Sequence, residues 1–443
     1  MQKEMLFWIW LSEALGAANK SFRPLIELYE NPYDIFYAEE EELDRLDHLS
    51  LRVRERLADK SLEHATAILD TCERLGIGIL PYGDPAYPKL LRAISTPPVL
   101  LYYKGKLPDF SEQLFVSLVG TRRMSAYGLQ SAYKLSYELA TAGAVVVSGM
   151  AAGIDGVCAA AALAAKGNTV AILGCGLDVV YPKHHKCLMD EICNKGLLIS
   201  EYPPGTRPNH YHFPIRNRLI SALSQATVVV EAGLRSGSLI TAKEAILQGR
   251  DVFALPANVG SRGAEGTNGL LRDGVNLALD AEDILERYGY AFSGSLHIDR
   301  LAGIGTASHA DLHFLDRLGV IELTASAQQG AVSAVSAAKP NEEPKPKRSS
   351  SRVKSEKKPS AEASSAEKTV REPVVQKKTP DEVLSSLSDI QRAVLEAIPD
   401  DRAITADTLG GLGYPYGDII AAITMLEILG LVQKLPGALY TKT

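Results

Sequence analysis

The chain predicts an α/β protein: a doubly wound parallel sheet set between a small helical region and a separate C-terminal domain. Three observations carry this. Between residues 114 and 255, short continuous apolar runs alternate with helix-length segments, the pattern of strands buried on both faces of a parallel sheet. Residues 1–75 carry only helical spacing. After residue 325 the composition shifts sharply, and helical periodicity returns near residue 385.

Residues 1–75 are rich in Leu, Glu and Arg, with turn signals at Asn31-Pro32 and around Asp47 to Ser50. Apolar residues recur at helical spacing, as at Ala58, Leu62, Ala65 and Leu69. This suits a helix-hairpin-helix or SAM-like module that grips nucleic-acid backbone, and it suits an inert bundle equally. The first seventeen residues have a short apolar core flanked by Glu4 and Glu13, which reads as an amphipathic helix rather than a signal peptide. No run approaches the roughly 18 apolar residues of a membrane span. A soluble, cytoplasmic protein is expected.

A bridging piece, 76–108, supplies strands at 76–80 and 99–103. Within the core region, 76–300, strands are expected at 114–119, 145–147, 169–173, 197–199, 227–230 and 252–255. Helices are expected at 126–142, 153–166, 183–195, 215–225 and 237–248. Ligands of such sheets bind beyond the carboxyl ends of the strands, where strand order reverses. Residues 325–380 are Ser, Ala, Pro, Lys and Glu with almost no large apolar side chains, the composition of a disordered linker. Residues 385–443 predict helices at 390–397, 406–412 and 417–429, then a hairpin of 431–433 and 439–441 around Pro436-Gly437. Three helices and a hairpin make a winged-helix-like pattern, whose third helix, with Asp418 and Glu427, argues against deep major-groove contact.

The 443 residues are 46% apolar and 23% charged, with net charge −6. Any positive surface must therefore be local. Cys72, Cys158, Cys175, Cys187 and Cys193 show no regular spacing and read as free thiols.

Function concentrates in the strand-end loops. Gly120-Thr121-Arg122-Arg123 follows the first core strand, with Ser125 opening the next helix. Glycine admits close backbone approach, helix-start amides face an anion, and Arg122 can fork onto phosphate oxygens. Ser148-Gly149 and Gly153 form a second small-residue loop. Neither GxGxxG nor GxxxxGK[ST] occurs, which excludes the common dinucleotide and triphosphate loops. Lys183 is a plausible phosphate contact, and the adjacent His184-His185 read as solvated. Phe213-Pro214-Ile215-Arg216-Asn217-Arg218 sets an aromatic beside two guanidinium groups, which suits stacked bases with flanking phosphates. Alternatively, one of Arg216 and Arg218 pairs with Glu201 in the core. Ser236-Gly237-Ser238 opens another helix as an anion cradle. The carboxylates Asp155, Asp178, Glu201 and Glu231 lie near strand ends. They carry the alternative reading, a magnesium-dependent hydrolase of nucleotides or nucleic acid, although each also has a local capping or Arg-pairing explanation.

In order, Gly120-Thr121-Arg122, Ser148 to Asp155, Gly176 to Pro182, Phe213 to Arg218, Ser236 to Ser238 and Gly266-Thr267-Asn268 resemble the motifs of the DprA/Smf family over roughly residues 75–290. Tyr87-Pro88-Leu90 and Pro97-Pro98 extend the match. The resemblance implies a Rossmann-like core that binds single-stranded DNA, protects incoming strands in natural transformation and loads the RecA recombinase, acting as a homodimer without cofactor or settled catalytic activity. By motif match, Arg122 and its neighbours, Lys183 and Phe213 would line the DNA path. The core is also similar in outline to lysine-decarboxylase-like hydrolases, but Glu231 to Ser238 replaces their PGGxGTxxE motif.

Overall fold

In the computed structural model, described residues are 2–261, 263–301, 303–323 and 335–337, then 389–399 and portions of 404–442. The chain divides into two compact units, residues 1–346 and 347–443.

The first unit begins with six helices: α1 (Gln2–Leu15), α2 (Phe22–Tyr29), α3 (Pro32–Tyr37), α4 (Glu40–Asp44), α5 (Leu51–Ala58) and α6 (Glu63–Leu75). Asn31 starts α3 by accepting from the Asp34 N–H, with Pro32 in the first turn. Edge-to-face contacts of Phe36 with Phe7 and Trp10, at 5.0 Å each, build the centre of this helical region.

A nine-stranded sheet follows. Its strands are β1 (Gly78–Pro81), β2 (Leu100–Gly105), β3 (Phe115–Val119), β4 (Val145–Ser148), β5 (Thr169–Leu173), β6 (Leu197–Ser200), β7 (Ala226–Val229), β8 (Asp251–Ala254) and β9 (Asn276–Leu277). Their order is β1-β2-β6-β5-β4-β3-β7-β8-β9. Strands β3 to β9 run parallel. The bridging strands β1 and β2 join one edge in antiparallel fashion, so the sheet is mixed.

The helices are α7 (Lys89–Arg92), α8 (Ala126–Thr141), α9 (Ile154–Ala164), α10 (Lys186–Lys195), α11 (His212–Ala222), α12 (Ser238–Leu247), α13 (Glu265–Arg272), α14 (Glu282–Leu285) and α15 (His309–Arg317). Strand side chains alternate between two cores, as period two requires. Val116, Leu118, Val146 and Ala171 join the core of α8, α9, α10 and the helical region. Phe115, Val119, Val145, Val147 and Val170 join that of α7, α11 and α12. The sheet is thus wound on both faces. The chain runs outward from β3 to β6, then returns to place β7 beside β3. Strand order therefore reverses between β3 and β7.

Two expectations change. Helix α11 begins at His212 rather than Ile215, with Pro214 inside its first turn, where no backbone N–H is needed. Residues 335–337, expected within the linker, form a strand paired antiparallel with Ile321–Leu323. The remainder of the 325–380 linker lies outside the described residues.

In the second unit, α16 (Asp389–Ala397) precedes strands Ile404–Thr405, Val432–Leu435 and Leu439–Lys442. The last strand pairs with both others. Val394, Ile398, Ile423, Leu426 and Val432 share its core. The expected helices 406–412 and 417–429 lie largely outside the described residues.

Candidate nucleic-acid interface

The loops after β3 and β7 and the first turns of α11 and α12 enclose an open cavity of about 760 Å³ at the switch point. The β3 loop is held rigidly. The Thr121 N–H donates to the Glu231 carbonyl (2.8 Å), the Ile154 N–H donates to the Thr121 carbonyl (3.2 Å) and the Arg123 N–H donates to Thr121 Oγ1 (3.1 Å). Gly153, at φ +84°, is required here: a Cβ would strike the Thr121 carbonyl and the Arg122 backbone. Gly120 passes equally close to the Ile154 side chain. Arg122 and Arg123 are left exposed on this braced loop.

Ser125 caps α8 by accepting from the Gly128 N–H at 3.0 Å, while its own N–H donates to Glu231 Oε2 at 2.9 Å. Glu231 therefore ties the β3 and β7 loops together from below. On the far wall, Ser236 Oγ and Ser238 Oγ lie 2.8 Å apart where α12 starts. Gly237 is exposed, Ser236 half-buried and Ser238 buried. Arg235 stands exposed before this turn and lines the cavity. It was missed in the sequence, where only its position between Gly233 and the Ser-Gly-Ser turn marked it.

Phe213 lies in the first turn of α11. Its ring stacks on Tyr181 with centroids 5.1 Å apart and planes at 27°. The guanidinium carbons of Arg122 and Arg216 lie over it at 5.4 and 5.9 Å. The ring half-buries itself in this stack, and Gly174 admits its edge: a Cβ there would come within 3.1 Å.

Several expected contacts lie beneath the surface instead. Arg216 is 4% exposed. It donates to the Gly149 carbonyl at 2.8 Å, to the Ile172 carbonyl and to Asn217 Oδ1 at 3.2 Å. Burial lowers its pKa, with Asp155 opposing. Burial likewise raises the Asp155 carboxyl, opposed chiefly by Arg216. Ser148 and Gly149 are buried under the cavity, where the Gly149 N–H donates to Asp155 Oδ2 at 3.1 Å. Arg216 and Asp155 thus form the buried floor of the cavity, while Ser148, Gly149 and the buried Gly153 lie outside its lining.

Arg218 is the arginine that pairs with Glu201, at 2.5 Å between side chains 7% and 5% exposed. It also donates to the Thr96 carbonyl at 2.6 Å, and Glu201 accepts from the Ala18 N–H at 3.2 Å. Its guanidinium is committed to Glu201 and the Thr96 carbonyl, which removes it as a phosphate contact. Lys183 is exposed in the short 3₁₀ turn Lys183–His185, outside the cavity lining. His185, expected in solvent, is instead fully buried. Its Nδ1 lies 3.1 Å from the Met150 carbonyl, so that nitrogen carries the proton, and burial drives its pKa down to about 4.

The four strand-end carboxylates do not converge. Asp155 serves Gly149, Asp178 accepts from the Gly205 N–H at 2.8 and 3.0 Å, Glu201 pairs with Arg218 and Glu231 with the Ser125 N–H. Among the described residues no group of three or more His, Cys, Asp or Glu could hold a metal ion.

The chain matches the family model described as DNA recombination-mediator protein A over residues 78–289. It is similar to the DNA processing protein DprA of Bacillus subtilis, 40% identical over 219 residues, covering 49% of this chain and 74% of that protein. Protein Smf of Synechocystis is 29% identical over 448 residues and 99% of each chain. The X-ray structure of DNA processing protein A from Streptococcus pneumoniae superposes with a TM-score of 0.57 at 35% identity, covering 63% of this chain and 97% of that one. With these motifs, this sheet order and these relatives, the chain belongs to the DprA/Smf family of DNA recombination-mediator proteins.

Proposed function

We propose that the crevice between β3 and β7 holds single-stranded DNA, and that the protein is a binding mediator of recombination rather than a catalyst. One observation carries this reading. Three exposed guanidinium groups, Arg122, Arg123 and Arg235, ring a cavity whose carboxylate, Asp155, is buried in its floor. Phosphates would lie on these arginines, the β3 loop and the exposed rim of the Ser236-Gly237-Ser238 turn. Arg122 over Phe213 forms a composite platform whose guanidinium plane can stack on a base of any identity. The relatives' names as DNA processing proteins support a DNA ligand.

Protection of incoming strands in natural transformation, transfer to the RecA recombinase, a homodimer and a cytoplasmic location are part of the proposal, supported by the family resemblance alone. Among the described residues no helix is long and apolar enough to cross a membrane. The tail is read as a winged-helix-like domain, supported by one helix ahead of a sheet in which the last strand pairs with both earlier ones.

Fluorescence anisotropy of labelled oligothymidylate and of a matched duplex, across a salt series, tests the reading. Binding to the single strand should be tighter and should fall steeply with salt, by about 0.7 in log–log slope for each neutralised phosphate. Equal affinity for duplex, or displacement by mononucleotide, sinks it.

A further inference from the structure

Phe213 is a crowded ring. Tyr181 stacks on it, Arg122 and Arg216 lie over it, and Gly174 abuts its edge. Only part of its surface is therefore left to line the cavity. Two residues earlier the arrangement is the reverse. Tyr211 is 67% exposed, a large aromatic surface left in water, where covering it would be favourable. Its ring packs on His210 with centroids 3.8 Å apart and planes at 39°. His210 in turn lines the same cavity as Arg122, Phe213 and Arg235.

The pair is exposed but not loosely held. The Tyr211 N–H donates to Asn209 Oδ1 at 3.1 Å, and the His212 N–H donates to the Asn209 carbonyl at 2.9 Å. The next ring, His212, is stacked on Tyr202 at 4.2 Å, with its Nδ1 3.2 Å from the Gly174 carbonyl. The backbone under Tyr211 is therefore anchored on both sides, so stacking there orders little that is not already ordered.

We infer that Tyr211, backed by His210, is a second stacking subsite at the mouth of the crevice, taking an unpaired nucleobase adjacent to the nucleotide held at Arg122. This rests on the single-stranded DNA reading and deepens it, because it names where a base, rather than a phosphate, is recognised. An aromatic face accepts any base and is closed to a base already stacked within a duplex, so this subsite contributes to strand preference without sequence preference.

The test uses the full chain and two probes, an oligothymidylate and an abasic strand of equal length, which keeps the phosphates and removes the bases. Tyr211→Ala should weaken oligothymidylate binding roughly 5- to 150-fold and leave abasic-strand binding unchanged. Tyr211→Phe should bind as the unsubstituted protein does. Trp8 and Trp10, the chain's two tryptophans, are buried in α1, so Tyr211→Trp adds a distinct exposed indole. Oligothymidylate should quench it, and the abasic strand should not. If the unsubstituted protein binds oligothymidylate and Tyr211→Ala binds it as tightly, or loses both strands equally, the subsite is wrong while the crevice stands. If the unsubstituted protein binds neither strand, the crevice reading fails and the subsite with it.

Discussion

The helical region, residues 1–75, and the crevice of the sheet belong to one compact unit yet carry opposite charge. The helical region holds nine lysines and arginines against sixteen aspartates and glutamates. Among these Glu39 to Glu42 form an exposed acidic run at α4. The crevice rim instead exposes Arg122, Arg123 and Arg235. A backbone grip on DNA needs cations, so of the two readings of residues 1–75 their charge favours the inert bundle. The net charge of −6 combines −7 from residues 1–75 with +1 from the rest of the chain, within which the basic rim is local. A whole-chain average hides the one that matters, which is why composition alone does not advertise a DNA binder here.

One contact between the helical region and the sheet is the Ala18 N–H donating to Glu201, the carboxylate that Arg218 neutralises, and removing that cation has the largest expected effect. Arg218→Ala leaves Glu201 buried without its cation and should cost about 3–5 kcal/mol in urea unfolding. A loss below about 1 kcal/mol would mean the pair behaves as a solvated surface ion pair rather than a buried one.

Lowering the pH strains the core next. Burial holds the His185 pKa at about 4, below its ordinary 6.5, so between those values the unfolded chain binds a proton that the folded chain does not. Stability should therefore fall as pH drops from about 6.5 towards about 4, by roughly 3 kcal/mol in total from this group. His185→Gln should flatten that part of the profile. A slope identical to that of the unsubstituted protein would place the effect elsewhere.

Within the crevice, Arg122→Ala should leave the unfolding midpoint nearly unchanged, because the side chain is exposed. It should weaken single-strand binding about 5- to 10-fold, near 1–1.4 kcal/mol, and lower the salt slope by about 0.7. Unaltered binding in the anisotropy titration would remove Arg122 from the interface. Smallest of all is the effect of the acidic region. Replacing Glu39, Glu40, Glu41 and Glu42 by Gln should raise DNA affinity by less than about threefold at low salt and not at all near 1 M salt, where screening is complete. A large gain at high salt would instead place these carboxylates in contact with the DNA.

The chain's elements were legible because they are local. Strand runs such as Phe115–Val119 and Thr169–Leu173, and the helices between them, follow from apolar spacing over a few residues. Their alternation is enough to imply a sheet wound on both faces with its ligand at the strand ends. The motif order was likewise enough to name the family. What those residues do was legible only where the side chain acts through its neighbours in sequence, as in the capping of α8 by Ser125. Which of Arg216 and Arg218 pairs with Glu201, and that the other is buried beneath the crevice, was not. The two sit in one motif with the same chemistry, and one underlies the crevice while the other neutralises Glu201, which in turn accepts from Ala18 of the helical region. That division depends on Gly149, Ile172, Glu201, Thr96 and Ala18, which are distant in sequence and arrive only on folding. The stacking of Tyr181 under Phe213 and the exposure of Tyr211 were decided in the same way. Sequence period determines which way a side chain faces from its own element. Whether that direction leads to water, a carbonyl or a carboxylate is set by non-local packing, because burial and desolvation are properties of the assembled neighbourhood rather than of the residue.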